Sequence, residues 1–127
     1  MACHCGGCQK MTGSAFSLSS LYPAERFSVR SGETVRGGMK TGPNHRFCGE
    51  CMSWVYTVPE GMDEFVNVRA PMFDDAEKHR PYVEMCVSEA LPGAATGAVR
   101  SYHQFPKEDE FPELLARYAE WDGRVKQ

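Results

Sequence analysis

The sequence predicts a mainly β fold of antiparallel strands, finished by one amphipathic helix. Two observations carry this. Between residues 16 and 88, six short segments rich in β-branched and aromatic residues recur with partial alternation, separated by Gly, Pro and Asn. Beyond them, "FPELLARYAEW" places Phe111, Leu114, Leu115, Tyr118 and Trp121 at spacings of three and four, the period of a helix with one apolar face.

In chain order the expected strands are "FSLSSLY" (16–22), "RFSVRS" (26–31), "TVRGGMK" (34–40), "WVYTV" (54–58), "EFVNVRA" (64–70) and "YVEMCVS" (82–88). The separators "YPAE", "SGE", "TGPN", "PEGMD" and "LPGAATG" supply the turn residues. Pro112 falls in the first helical turn, where a missing N–H costs nothing, and the acidic "PKEDEFPE" before it should face solvent. There is no internal repeat, low-complexity tract or linker, and 127 residues suit a single domain over 1–127.

The formal charge of -3 leaves no excess of Lys and Arg to hold a polyanion, so neither nucleic acid nor an acidic membrane surface is an expected partner. No apolar run is long enough to cross a bilayer, and "MACHCGGC" lacks the basic flank and hydrophobic stretch of a signal peptide. The expectation is a soluble, cytoplasmic protein. In a reducing compartment, cysteines clustered at short spacing bind metal or do redox chemistry more often than they form disulfides.

Five of the six cysteines are clustered. Cys3, Cys5 and Cys8 form C-x-C-x-x-C; Cys48 and Cys51 form C-x-x-C inside "RFCGECMSW"; Cys86 stands alone in "VEMCVSE". A tight turn at Gly6 and Gly7 would aim backbone amides at the Cys5 and Cys8 sulfurs, while C-x-C adds a third thiol from an extended segment. Structural zinc takes four protein ligands and reactive zinc takes three, so three thiols point to zinc with an open position. A four-coordinate staple with its last ligand elsewhere, or free thiols, are the alternatives. His4, flanked by two ligands, should point away from them as a supporting or surface residue. Cys86, between Met85 and Val87, reads as a small buried hydrophobe on a packed strand.

"CHCGGCQKMTGSAFS", followed by "RFCGEC" and the aromatic strand "SWVYTVPEG", resembles the glutathione-dependent formaldehyde-activating enzyme family, also called the GFA or CENP-V domain. The resemblance implies an Mss4-like or β-tent fold with two zinc ions. One would sit on Cys3, Cys5 and Cys8 with an open position near the active site. The other would be structural, held by Cys48 and Cys51 with an earlier C-x-C pair. That earlier strand does not precede "ACHC" in this sequence, which leaves Cys48 and Cys51 to recruit His45 or another group, borrow ligands from a second chain, or stay metal-free. It also leaves a sheet edge that could pair with another molecule, a homodimer among the options.

Three thiolates around a dication leave a net charge near minus one, which favours a soft fourth ligand over bound hydroxide. A thiol such as glutathione could bind there as thiolate and add to the carbonyl of a small aldehyde; the reverse breaks a carbon–sulfur bond. This is carbon–sulfur lyase chemistry of the S-hydroxymethylglutathione synthase kind, the activity that the resemblance implies. A noncatalytic zinc-stapled domain that binds protein partners, and a redox or metal-buffering protein, are the competing readings. Thr12, Gly13 and Ser14 offer either donors to an anion or a structural turn. Lys10, Arg46 and Arg69 either steer an anionic thiol or are solvated surface charges. His45, His79 and His103 are candidate bases by residue type alone.

Overall fold

A computed structural model describes residues 1–39 and 42–123. Its strands are β1 (Ala2–Cys3), β2 (Ser17–Pro23), β3 (Thr34–Arg36), β4 (Asn44–Cys48), β5 (Trp54–Val58), β6 (Phe65–Arg69), β7 (Val83–Met85) and β8 (Arg100–Ser101), and its helices are α1 (Gly6–Thr12) and α2 (Phe111–Glu120). The strands form one sheet in the order β3-β4-β5-β6-β2-β1-β7-β8. The fold is mainly β with a C-terminal helix, as the sequence predicts.

Three of the six expected strands form within a residue of their expected bounds, "TVRGGMK" is a strand only over Thr34–Arg36, and two others differ as well. "RFSVRS" makes no strand: Ala24–Arg26 is a single 3-10 turn, and Phe27 packs its ring on Tyr56 at 4.7 Å from a segment that carries no strand pairing. "YVEMCVS" stops at Met85, because Cys86 adopts a left-handed conformation with φ 56° and opens a 3-10 turn at Val87–Glu89. Lys40, the end of the expected "TVRGGMK" strand, and Thr41, the start of "TGPN", lie outside the described residues. Sequence reading passed over β4, whose "NHRFC" opens with three polar residues in a row and is set by its partners β3 and β5. It also passed over the two-residue strands β1 and β8. The pairs β1–β7 and β7–β8 are parallel, while every other pairing is antiparallel.

One irregularity in the β4–β5 ladder shapes the interior. Arg46 lies opposite Tyr56 but Phe47 lies opposite Trp54, so Val55 is an extra residue. Strict alternation would put Trp54 and Thr57 on opposite faces; the bulge puts both on the face of His45 and Phe47. Asn67 faces Thr57 in the next ladder, and Arg69, two residues on, shares its face opposite Ser19 of β2.

Two apolar clusters form the core. Tyr82, Val83, Met85, Cys86 and Leu114 make one, with Trp121 packed against it. Leu114 is the buried anchor of α2, worth about 2 kcal/mol of apolar burial. The rings of Tyr118 and Trp121 meet Tyr82 at 5.8 and 5.3 Å. Leu115, expected on the same face, is largely exposed. The second cluster is Cys8, Phe47 and Trp54, and Cys3 and Cys5 pack against both. Among the described residues the outer strands β3 and β8 have three and two residues, so the edges offered to another molecule are short.

Candidate metal centre

Two elements, β1 and α1, deliver the three N-terminal thiols to one point. Cys3 ends β1, which is held between β2 and β7 through pairing with Ser17 and Met85. The chain then turns, the His4 N–H donating to the Met85 carbonyl at 3.0 Å. Cys5 is the N-cap of α1, and its sulfur accepts from the Cys8 N–H at 3.4 Å. Cys8 lies in the first turn. The tight turn expected at Gly6 and Gly7 is thus the start of a helix. Gly13 closes that helix in the left-handed conformation, φ 60°, with its N–H bonded to the Gln9 carbonyl.

The sulfurs of Cys3, Cys5 and Cys8 all lie within 4.8 Å of one another. A tetrahedral zinc with bonds of about 2.3 Å separates its sulfurs by about 3.8 Å, so a contraction of at most about 1 Å closes this triangle on an ion. The electrostatics suit a cation. The Cys3 thiol, then the Cys8 thiol, donate to Cys5 and, with the backbone amides of Cys8 and Gly7, pull its pKa down to about 2. Donation to Cys5 pushes Cys3 up to about 12, and donation to Cys3 and Cys5 raises Cys8. A bound cation would displace the thiol protons that the three sulfurs share. These residues could hold a metal ion.

The second cysteine pair has no such company. Cys48 ends β4 and Cys51 lies in the loop to β5, exposed, its thiol donating to Ser53 Oγ at 3.2 Å. Among the described residues no third metal-ligating side chain joins them. His45, the proposed recruit, is three residues before Cys48 on one strand and so faces the other way. It is buried, with Nδ1 2.9 Å from Thr57 Oγ1 and its ring edge-on to Trp54. Burial first, then the charges of Arg69 and Arg36, hold its pKa below the usual 6.5.

The remaining candidates separate clearly. His4 is not a surface residue: it is 1% exposed, with Nε2 3.2 Å from Glu84 Oε2, and Glu84 accepts from Thr96 and Ser101 as well. Cys86 is buried, as expected, but it is not isolated, since it belongs to the apolar cluster against which Cys3 and Cys5 pack. Lys10 and His103 are exposed. Arg46 is tied to Thr34. His79 sits between Ser20 and Asp75 and stacks on Phe73, away from the cysteines. Thr12 donates to the Cys8 carbonyl at 2.7 Å, which favours the structural turn for "TGS".

A cleft of about 450 Å³ adjoins the cluster, and Met11, Phe47 and Trp54 belong to both its lining and the packing around the cysteines. Arg69 also lines it. Sequence reading missed the aromatic wall, whose only signal was the "SWVYTV" strand following the second cysteine pair.

A family model for glutathione-dependent formaldehyde-activating enzyme matches residues 1–89. The chain belongs to that family. The match runs from β1 through β7 and so contains both cysteine groups and the cleft-lining residues. No curated protein matches the chain. Among the described residues no helix is long and apolar enough to cross a membrane.

Proposed function

We propose that this member of the formaldehyde-activating family is a zinc-dependent carbon–sulfur lyase or synthase of the S-hydroxymethylglutathione synthase type. Its substrates would be a small thiol, glutathione or one like it, and a small aldehyde, met in the cytoplasm. The observation that carries the reading is the donor set. Three thiols converge, and among the described residues no fourth His, Cys, Asp or Glu joins them within the same 4.8 Å. Bound there, zinc would supply a soft fourth position for a substrate thiolate.

The chain's own contribution is placement. β1 and the first turn of α1 fix the three sulfurs, and the amides of Gly7 and Cys8 offset the negative charge that gathers on Cys5. Phe47 and Trp54 keep water from one side of the cluster. In the synthetic direction the substrate sulfur bonds to the aldehyde carbon, the carbonyl π-bond breaks, and the thiol proton ends on the new hydroxyl. The reverse restores both molecules. No side chain is assigned as the proton carrier.

One observation favours the alternative, a noncatalytic zinc-stapled domain that binds protein partners. Cys86 is buried in the cluster against which Cys3 and Cys5 pack, and a fourth sulfur from it would close the site. Calorimetric titration of the zinc-loaded protein with glutathione separates the two, run beside exchange spectroscopy of the glutathione–formaldehyde adduct. The lyase reading expects binding that strengthens with pH toward the thiol pKa and faster adduct exchange. No binding at a fully loaded site would leave the stapled domain.

A further inference from the structure

Arg69 ends β6 on the face shared with Thr57 and Asn67, and it lines the cleft beside the cysteine cluster. It is 6% exposed, so it is not the solvated surface charge that its residue type suggests. Its guanidinium lies on the Trp54 ring, Cζ 3.8 Å from the centroid. Trp54 is itself fixed: its Nε1–H donates to Thr57 Oγ1 at 2.9 Å, and Thr57 contacts His45 on its other side. The guanidinium is therefore held in place from below by a chain of buried contacts.

What Arg69 lacks is a hydrogen-bond partner at two of its nitrogens. Its Nε and Nη1 are both buried without a hydrogen-bond partner, and no carboxylate pairs with it among the described residues. A buried guanidinium with unmade hydrogen bonds is costly, and folded proteins keep such a group where something supplies the partner. Burial lowers its pKa to about 10, partly offset by the Cys8 and Cys3 sulfurs, so it is charged at neutral pH. A guanidinium is planar, and the N–H groups along one of its edges match the two oxygens of a carboxylate.

We propose that Arg69 forms a carboxylate-binding subsite of the cleft and selects substrates that carry a carboxylate. Ser14 and Ser53 on the cleft wall supply neutral hydroxyls around it, and Met11, Pro71 and Met72 form an apolar surround for a short carbon chain. The choice of a thiol as the carrier of the anion rests on the lyase reading; the subsite itself does not.

The test uses zinc-loaded protein and two thiols of matched size, 3-mercaptopropionate and 3-mercaptopropionamide, in calorimetric titrations. The parent should prefer the acid by about 10- to 100-fold, the worth of hydrogen bonds to a charged group. Arg69→Gln should bring that preference to within about threefold, leave amide affinity unchanged and retain zinc; comparing variants cancels the difference in thiol pKa. Arg69→Lys, which keeps the charge and loses the fork, should fall between and guards against a folding defect in the first variant. Propionate, read by Trp54 fluorescence in a Trp121→Phe background, reports the subsite without any thiol. Quenching that needs Arg69, with neither thiol binding, would support the subsite and overturn the lyase reading. Equal binding of acid and amide by the parent would overturn the subsite and leave thiol binding intact. Loss of zinc in both Arg69 variants would also overturn it, making Arg69 the counter-charge of the thiolates.

Discussion

Cys5 and Cys8 share their C-x-x-C spacing with Cys48 and Cys51, yet the two pairs meet different fates. The first pair opens a helix, which aims amides at its sulfurs, and it receives Cys3 from a strand pinned between β2 and β7. The second spans the end of β4 and the loop to β5, with Cys51 exposed and Met52 at φ 60° beside it. Local spacing supplies a two-sulfur bite in both places. A third sulfur is what makes a site that could hold metal, and among the described residues it is provided once.

The largest expected effect comes from breaking the complete site. Cys5→Ser removes the residue common to C-x-C and C-x-x-C, and metal affinity should fall by more than about 100-fold, beyond what outer partners contribute. Elemental analysis of the purified variant should find almost no zinc; parental zinc content would mean another ligand set.

Cys86→Ala tests whether the first site is open. The change deletes a buried sulfur and should lower stability by about 1 kcal/mol in a denaturant melt while zinc content stays at the parental value. Loss of metal would make Cys86 the fourth ligand.

His45 sharpens the contrast through pH. Its pKa is depressed in the fold by burial, then by Arg69 and Arg36, so the folded state favours neutral imidazole. As pH drops below the unfolded value of about 6.5, the unfolded chain takes up the proton first and stability falls, until folded His45 also protonates. Thermal melts of the metal-free protein from pH 7 to 5 should show this decline, flattened in His45→Gln. An unchanged slope would contradict the buried neutral state.

The smallest effect belongs to the second pair. Replacing Cys48 and Cys51 together by Ser should leave zinc per chain unchanged and shift stability by no more than about 0.5 kcal/mol. A fall of one equivalent would show that this loop holds metal with a group contributed from elsewhere.

Much of this contrast was legible in the sequence. Helix α2 and strand β5 appear within a residue of their expected bounds, because an apolar stripe and an aromatic run are local signals. The three N-terminal cysteines were legible for the same reason. Partners brought from far along the chain were not. Cys86 lies against Cys3 only because β1 pairs in parallel with β7, and Arg69 shares a face with Trp54 only because a bulge at Val55 shifts the β5 register. Neither leaves a local pattern. "RFSVRS" shows the opposite failure: alternation was present, but no neighbouring strand pairs with it, and Val29 is about half exposed.

The central claim is that the metal at Cys3, Cys5 and Cys8 keeps a position free for a thiolate. X-ray absorption at the zinc edge, on protein loaded with one zinc per chain, reads it directly. The account predicts three sulfurs at about 2.3 Å and one lighter atom, becoming four sulfurs when glutathione is added. Four sulfurs before any thiol is added, unchanged afterwards, would contradict it.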